Sequence, residues 1–238
     1  MRAKGFGYGA SPPEPDTSVN LRLRYGSLSH EQAAKYGYLD PPDPTGASQD
    51  NSTIPSDKAG QLAYTAALDG DPSRQRTVAI KDPVSGVEYG GQTIGSGCWA
   101  EANRQLFGTD NDYIQSVVDD QWLQAAAAST LSQAMASAAV IDATKSWAAC
   151  MSAGGYSAQS PVEMKGKDWV EPRPGRTELQ TAARDVLCRG KAHYDDVVRA
   201  ADAAAQRAFV EQHSTEVAAA RSRHAAYLAG ATKVSSAG

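Results

Sequence analysis

Between Asp110 and Ala149 the chain contains neither proline nor glycine, and Ile114, Val118, Trp122, Ala125, Ala128, Leu131, Met135, Ala138 and Ile141 recur at three- and four-residue steps. That period draws one apolar stripe along an α-helix, and Asp110 and Asp112 supply acceptors and negative charge for its first turn. Unbroken, such a helix would be ~60 Å long. A second run opens at Thr177-Glu-Leu-Gln180, which has the form of a capping box. It carries Leu179, Ala183, Val186, Tyr194, Val197, Ala201, Ala205, Ala208, Phe209, Val217 and Leu228, is interrupted only by Gly190, and is expected to fray before Gly230. The polar stretch 154–176, with Pro161, Trp169, Pro172 and Pro174, separates the two runs and is longer than ordinary helix connections. The pattern therefore predicts a mainly α fold built on a long antiparallel helical hairpin. Much of its buried face is alanine, so the helices should approach closely while each contact buries less apolar area than leucine would.

The first half is patterned differently. Residues 1–28 are rich in Gly, Pro and Ser, and 11–15 should run as an extended, polyproline-like segment. Ser29-His-Glu-Gln32 is a second capping box, opening a short helix through Ala33, Ala34 and Tyr36 that Gly37 stops; another helix is expected from Ser56 to Gly70. Branched residues in 76–80 and 86–89 flank the turn-forming Asp82-Pro-Val-Ser-Gly86, a β-hairpin signature, and a lone hairpin must lean on a helix to persist. Gly95-Ser-Gly97-Cys98-Trp99 leads into a short helix from Ala100 to Phe107 that Gly108 closes, with Cys98 at or near its first turn. The expected organisation is a loop-rich unit over 1–108 and the helical hairpin over 109–238, or one continuous domain.

Cysteines sharpen this picture. Cys150 lies at the end of the first long run in Trp147-Ala-Ala-Cys150-Met151-Ser-Ala-Gly-Gly155-Tyr156, and Cys188 lies inside the second. Neither is surrounded by metal-ligand spacing or has a partner base nearby in sequence, so they read as a disulfide clamping the two helices. Met1-Arg-Ala3-Lys-Gly5-Phe6 echoes Met151-Ser-Ala153-Gly-Gly155-Tyr156, and Ser11-Pro12 echoes Ser160-Pro161 with a one-residue offset. On that repeat the counterpart of Cys150 would stand just before Met1, which leaves Cys98 as an unpaired cysteine or one with an external partner.

Composition excludes some classes. A formal net charge of -4 over 238 residues and a pI near 5.6 argue against a phosphate-tracking face, so no nucleic-acid partner is expected. No apolar run reaches the roughly 20 residues of a membrane span, and the N-terminus lacks the regions of a signal peptide. The reading is a mature exported form, because a structural disulfide belongs to an oxidising compartment.

The most enzyme-like stretch is Gly95-Ser96-Gly97-Cys98-Trp99-Ala100, which resembles the nucleophile region of papain-like cysteine peptidases. A cysteine at a helix N-terminus meets one requirement of that chemistry, and an imidazole to hold the thiolate is the other. His193, His213 and His224 lie on an alanine-rich helix, where solvated side chains are expected; His213 and His224 share a face without a carboxylate at ligand spacing. The acidic loop 40–50 lacks the glutamate and glycine placement of a helix-loop-helix calcium site. Asp119-Asp120 and Asp195-Asp196 point to different helix faces and read as solvated charge. Trp99, Trp122 and Trp147 are expected to fill core gaps left by alanine, with Trp169 as a possible contact residue. No catalytic set, metal site or cofactor emerges.

Taken together, Trp147-x-x-Cys150-Met151-x-x-x-Gly155-Tyr156, Ala183-x-Asp185-x-x-Cys188, Tyr25-Gly26 with Tyr36-Gly37-Tyr38, and Gly97-Cys98-x-x-Glu101-Ala102 resemble a family of uncharacterised exported proteins and lipoproteins of actinomycetes with Cys-Met-x(3)-Gly-[Phe/Tyr] motifs. The resemblance covers most of the chain and implies export, envelope association and helical structure, and carries no activity. The expectation is a non-enzymatic binding or structural protein at the cell envelope whose partner is another protein or an envelope component. The alternative is a hydrolase using Cys98 as nucleophile.

Overall fold

A computed structural model describes residues 1–7, 24–41, 54–169 and 174–236. The fold is mainly α. Nine helices are described: α1 (His30–Tyr36), α2 (Lys58–Asp69), α3 (Cys98–Phe107), α4 (Asp110–Met135), α5 (Ala138–Ala153), α6 (Pro161–Gly166), α7 (Arg176–Lys191), α8 (Tyr194–Gln212) and α9 (Ser214–Ser236). Strands β1 (Arg76–Lys81) and β2 (Glu88–Ile94) form a two-stranded antiparallel sheet. The polyproline-like segment 11–15 and residues 42–50 of the acidic loop lie outside the described residues.

The chain forms two compact units. Unit 1 draws on Met1–Pro12, Ser48–Ala127 and Val210–Gly238, and unit 2 on Pro13–Ala47 and Ala128–Phe209. In unit 1 the hairpin leans on a helix: Ile80 and Ile94 are buried against Ile114 and Val118 of α4. Its turn is organised by Asp82, whose carboxylate accepts from the Val84 and Ser85 amides at 2.9 and 2.6 Å, as an aspartate at a turn start does. Helix α2 is capped by Asp57, which accepts the Gly60 N–H at 2.8 Å. Helix α9 packs on α3, and contrary to the expected fraying it continues through Gly230. Glycine is required there by close approach, since a Cβ would meet the Leu106 carbonyl oxygen at 2.4 Å.

Unit 2 holds the middle of the predicted hairpin, residues 128–209, with its staple, while 110–127 and 210–238 belong to unit 1. Cys150 of α5 and Cys188 of α7 form a disulfide with a Cα–Cα distance of 5.5 Å. Arg184 donates to the Cys150 carbonyl at 2.7 Å, Asp185 accepts from Trp147, and Val140 and Ala143 pack with Tyr194 and Val198. Later residues of α7 and α8 thus meet earlier residues of α5, which is the antiparallel arrangement. Trp147, Met151, Ala182 and Cys188 are fully buried with Leu28, Ala33, Tyr38, Met164 and Val186. The bridge spans a sequence separation of 38, and closing a loop of that length contributes about 3 to 4 kcal/mol on the chain-entropy model.

Several boundaries depart from the pattern. The 110–149 run is two helices: Ser137 adopts an extended conformation, accepts the Val140 N–H at 3.4 Å and donates to the Ala134 carbonyl at 2.7 Å, so it ends α4 and caps α5. A serine hydroxyl competing for backbone groups breaks a helix without proline or glycine. The 177–230 run breaks at His193, with φ 49, and again at His213. Helix α7 is capped by Gly175 without a side-chain bond, so the Thr177 capping box does not form. The connection 154–176 contains the short α6, capped by Ser160 with Pro161 in its first turn.

Candidate functional site

Cys98 is the first residue of α3, in unit 1. Its thiol is free and partly exposed. The Gly95-Ser96-Gly97 stretch before it serves a backbone crossing: a Cβ at Gly95 would lie 2.2 Å from the Asp69 carbonyl oxygen, and one at Gly97 would lie 2.4 Å from both the Leu68 oxygen and the Gly70 nitrogen. The Ser96 and Gly97 amides donate to the Asp69 carbonyl at 3.0 and 3.2 Å, and the Ser96 hydroxyl accepts the Asp71 N–H at 3.1 Å. The glycines that gave this stretch its peptidase-like look are thus explained by how α2 and α3 are joined.

An open cavity of about 620 Å³ lies along α3 and is lined by Cys98, Trp99, Asn103, Leu106 and Phe107, with Met1, Leu68 of α2, Tyr113 of α4 and Tyr227 of α9. The size falls within the range of small-molecule pockets. Phe107 is its aromatic centre, stacked on Tyr227 at 4.6 Å and tilted against Tyr113 at 5.5 Å between ring centroids. Trp99, expected as core filler, is instead 51% exposed on this wall. Asn103 is only 6% exposed as a residue; its side-chain amide makes no hydrogen bond among the described residues and keeps contact with the open space, whereas the one fully buried side-chain polar atom without a partner is Arg184 Nε in unit 2. No carboxylate, lysine, arginine or histidine side chain lines the cavity.

Among the described residues, the one hydrogen bond to the Cys98 sulfur comes from the Met1 amine, at 3.4 Å. The histidines are elsewhere: His213 stands edge-on to the Trp122 ring at 5.8 Å, His224 is tilted against Tyr227, and His193 is an exposed helix-break residue. No imidazole is therefore within the cavity to hold a thiolate. Among the described residues no group of His, Cys, Asp and Glu could hold a metal ion, and no helix is long and apolar enough to cross a membrane.

The strongest electrostatics belong to unit 2 and concern packing. Asp185, fully buried, accepts from the Trp147 indole N–H at 2.8 Å, the Tyr38 hydroxyl at 3.1 Å and Arg189 at 2.9 Å. Arg189 also binds Asp195 at 2.9 Å. Burial pushes the Asp185 carboxyl above its ordinary range, opposed by the Arg189 charge and these bonds. Burial, followed by the charge and hydrogen bond of Asp185, likewise raises the Tyr38 hydroxyl. Glu178, also buried, accepts the Tyr38 amide N–H at 3.0 Å. A second carboxylate, Asp202, receives two bonds from Arg24 and one each from Tyr25 and Gln206, all at 2.7 Å. Burial works to raise it, but the Arg24 and Tyr25 bonds win and hold it below the usual range.

Two aspartates read as solvated are therefore engaged. Asp119, in unit 1, is buried and clamped by Arg223 at 2.6 and 2.7 Å, and Asp195 serves Arg189. Trp169, the possible contact residue, stacks on Tyr38 at 5.4 Å and donates to the Met164 carbonyl at 3.3 Å, so it is partly committed to packing. Asn103 and Asp202 escaped sequence reasoning; only the Arg24-Tyr25 pair and the Asp185-x-x-x-Arg189 helix spacing could have hinted at the unit 2 networks. No family model, no curated protein and no solved structure matches this chain.

Proposed function

We propose that this is a non-enzymatic binding protein of the exported, envelope-associated kind, resembling the actinomycete family named above, and that its binding element is the cavity beside Cys98. The observation that carries the reading is the composition of that cavity. It is concave, largely apolar and aromatic, and holds the amide of the largely buried Asn103 without a partner among the described residues, the pattern of a recognition site. A hydrolase would need a base within reach of the sulfur, and no histidine or carboxylate lines the wall. Export is supported by the Cys150–Cys188 bridge, since such bonds persist in oxidising compartments.

Two measurements test this. Turnover of a panel of ester, thioester and peptide substrates is expected to be the same for the wild type and for Cys98→Ala. A hydrolysis that disappears in Cys98→Ala would establish the nucleophile alternative instead. Fractionation of producing cells should place the protein in the medium or the envelope fraction with the bridge intact, whereas a purely cytosolic, fully reduced protein contradicts the export reading.

A further inference from the structure

Resting on the reading that the cavity binds, we infer its ligand class: a ring-bearing small molecule with a single hydroxyl, carbonyl or amide group that meets Asn103. Three observations converge. First, the walls are rings: the exposed Trp99 on one side and the stacked Phe107 and Tyr227 on another. Flat rings gain from offset and edge contacts beyond their buried area, and an exposed indole at a cavity wall is apolar surface that a ligand can cover. Second, Leu68, Ala102, Leu106 and Tyr113 complete a lining without charged side chains, apolar surface that a ligand's rings can cover. Third, Asn103 is only 6% exposed as a residue, and its amide, which keeps contact with the open space, makes no hydrogen bond among the described residues. Such an amide can both donate and accept, so a single polar group on the ligand bonds it and fixes the ring's orientation.

Calorimetric titration of the full chain with 2-naphthol, naphthalene and 1-decanol tests the inference, alongside Asn103→Leu and Ala102→Trp. Ala102 is exposed and lines the cavity, so the tryptophan fills it from the solvent side; the unfolding midpoint and circular dichroism of both variants establish that they fold. Saturable 1:1 binding of 2-naphthol is expected, weaker by about tenfold or more for naphthalene and in Asn103→Leu, as loss of one hydrogen bond predicts. Ala102→Trp should abolish it. Tighter binding of 1-decanol than of 2-naphthol would overturn the ring inference while leaving a binding cavity in place. Equal binding to Asn103→Leu would remove the role of the amide. No binding of any probe would overturn both the inference and the cavity reading on which it rests.

Discussion

The two units treat their cysteine and its neighbouring helix in opposite ways. In unit 2 Cys188 is bridged and sealed among Trp147, Met151 and Ala182, and the buried Asp185 carboxylate takes three donors, while Arg184 Nε is the one buried side-chain polar atom left without a partner among the described residues. In unit 1 Cys98 is free, Trp99 beside it is turned outward, and Asn103 one turn on has no partner among the described residues. The lesson concerns where function can reside: a saturated buried network resists a ligand, while an unsatisfied amide in an open apolar cavity gains from one.

The contrast yields graded expectations. Asp185→Asn, which leaves Arg189 buried without its main counter-charge, should destabilise by about 3 to 5 kcal/mol, read as a fall in the urea midpoint followed through Trp147 and Trp169 fluorescence. Reducing the bridge, or replacing both cysteines with alanine, should lower stability by about 3 to 4 kcal/mol; no change in midpoint with reductant would show that the staple carries no weight.

Asp202 gives a pH signature. Its carboxyl titrates lower in the folded chain than in the unfolded chain, so its contribution is present above the ordinary carboxylate range and is lost as pH falls through the depressed folded value. Urea midpoints between about pH 6 and pH 3 should therefore fall more steeply for the wild type than for Asp202→Asn. Asp185, raised by burial, acts with the opposite sign in both proteins, and the comparison removes it. The smallest effect belongs to unit 1: Cys98→Ser should shift stability by less than about 1 kcal/mol, as expected for a partly exposed thiol with no buried partner to strand. A larger loss would make Cys98 as structural as Cys188 and erase the contrast between the units.

How much of this was legible beforehand follows from which interactions are local. Periodicity and cysteine placement were enough for the mainly α fold, the β-hairpin leaning on a helix, and the Cys150–Cys188 bridge, because each is encoded by residues whose neighbours in sequence carry the signal. The helix breaks at Ser137 and His193 were not legible. The first interrupts a run without proline or glycine and is decided by a serine capping bond; the second falls three residues past Gly190, at a histidine with left-handed backbone. The site was less visible still. Asn103 is one polar residue in a short amphipathic helix, and its significance depends on Tyr227, far along the chain, closing the cavity wall. Gly95 and Gly97 misled in the other direction, since a close backbone crossing and a nucleophile loop ask for the same residues. Asp119 looked solvated because Arg223, its partner, is distant in sequence.

The most direct test of the contrast is the rate of N-ethylmaleimide labelling of the folded, unreduced protein, mapped by peptide, with and without saturating 2-naphthol. The account predicts that only Cys98 is labelled, that Cys150 and Cys188 are recovered in one disulfide-linked peptide, and that 2-naphthol slows the Cys98 reaction several-fold by filling the space beside the sulfur. Labelling of all three cysteines, or a Cys98 rate indifferent to 2-naphthol, would contradict it.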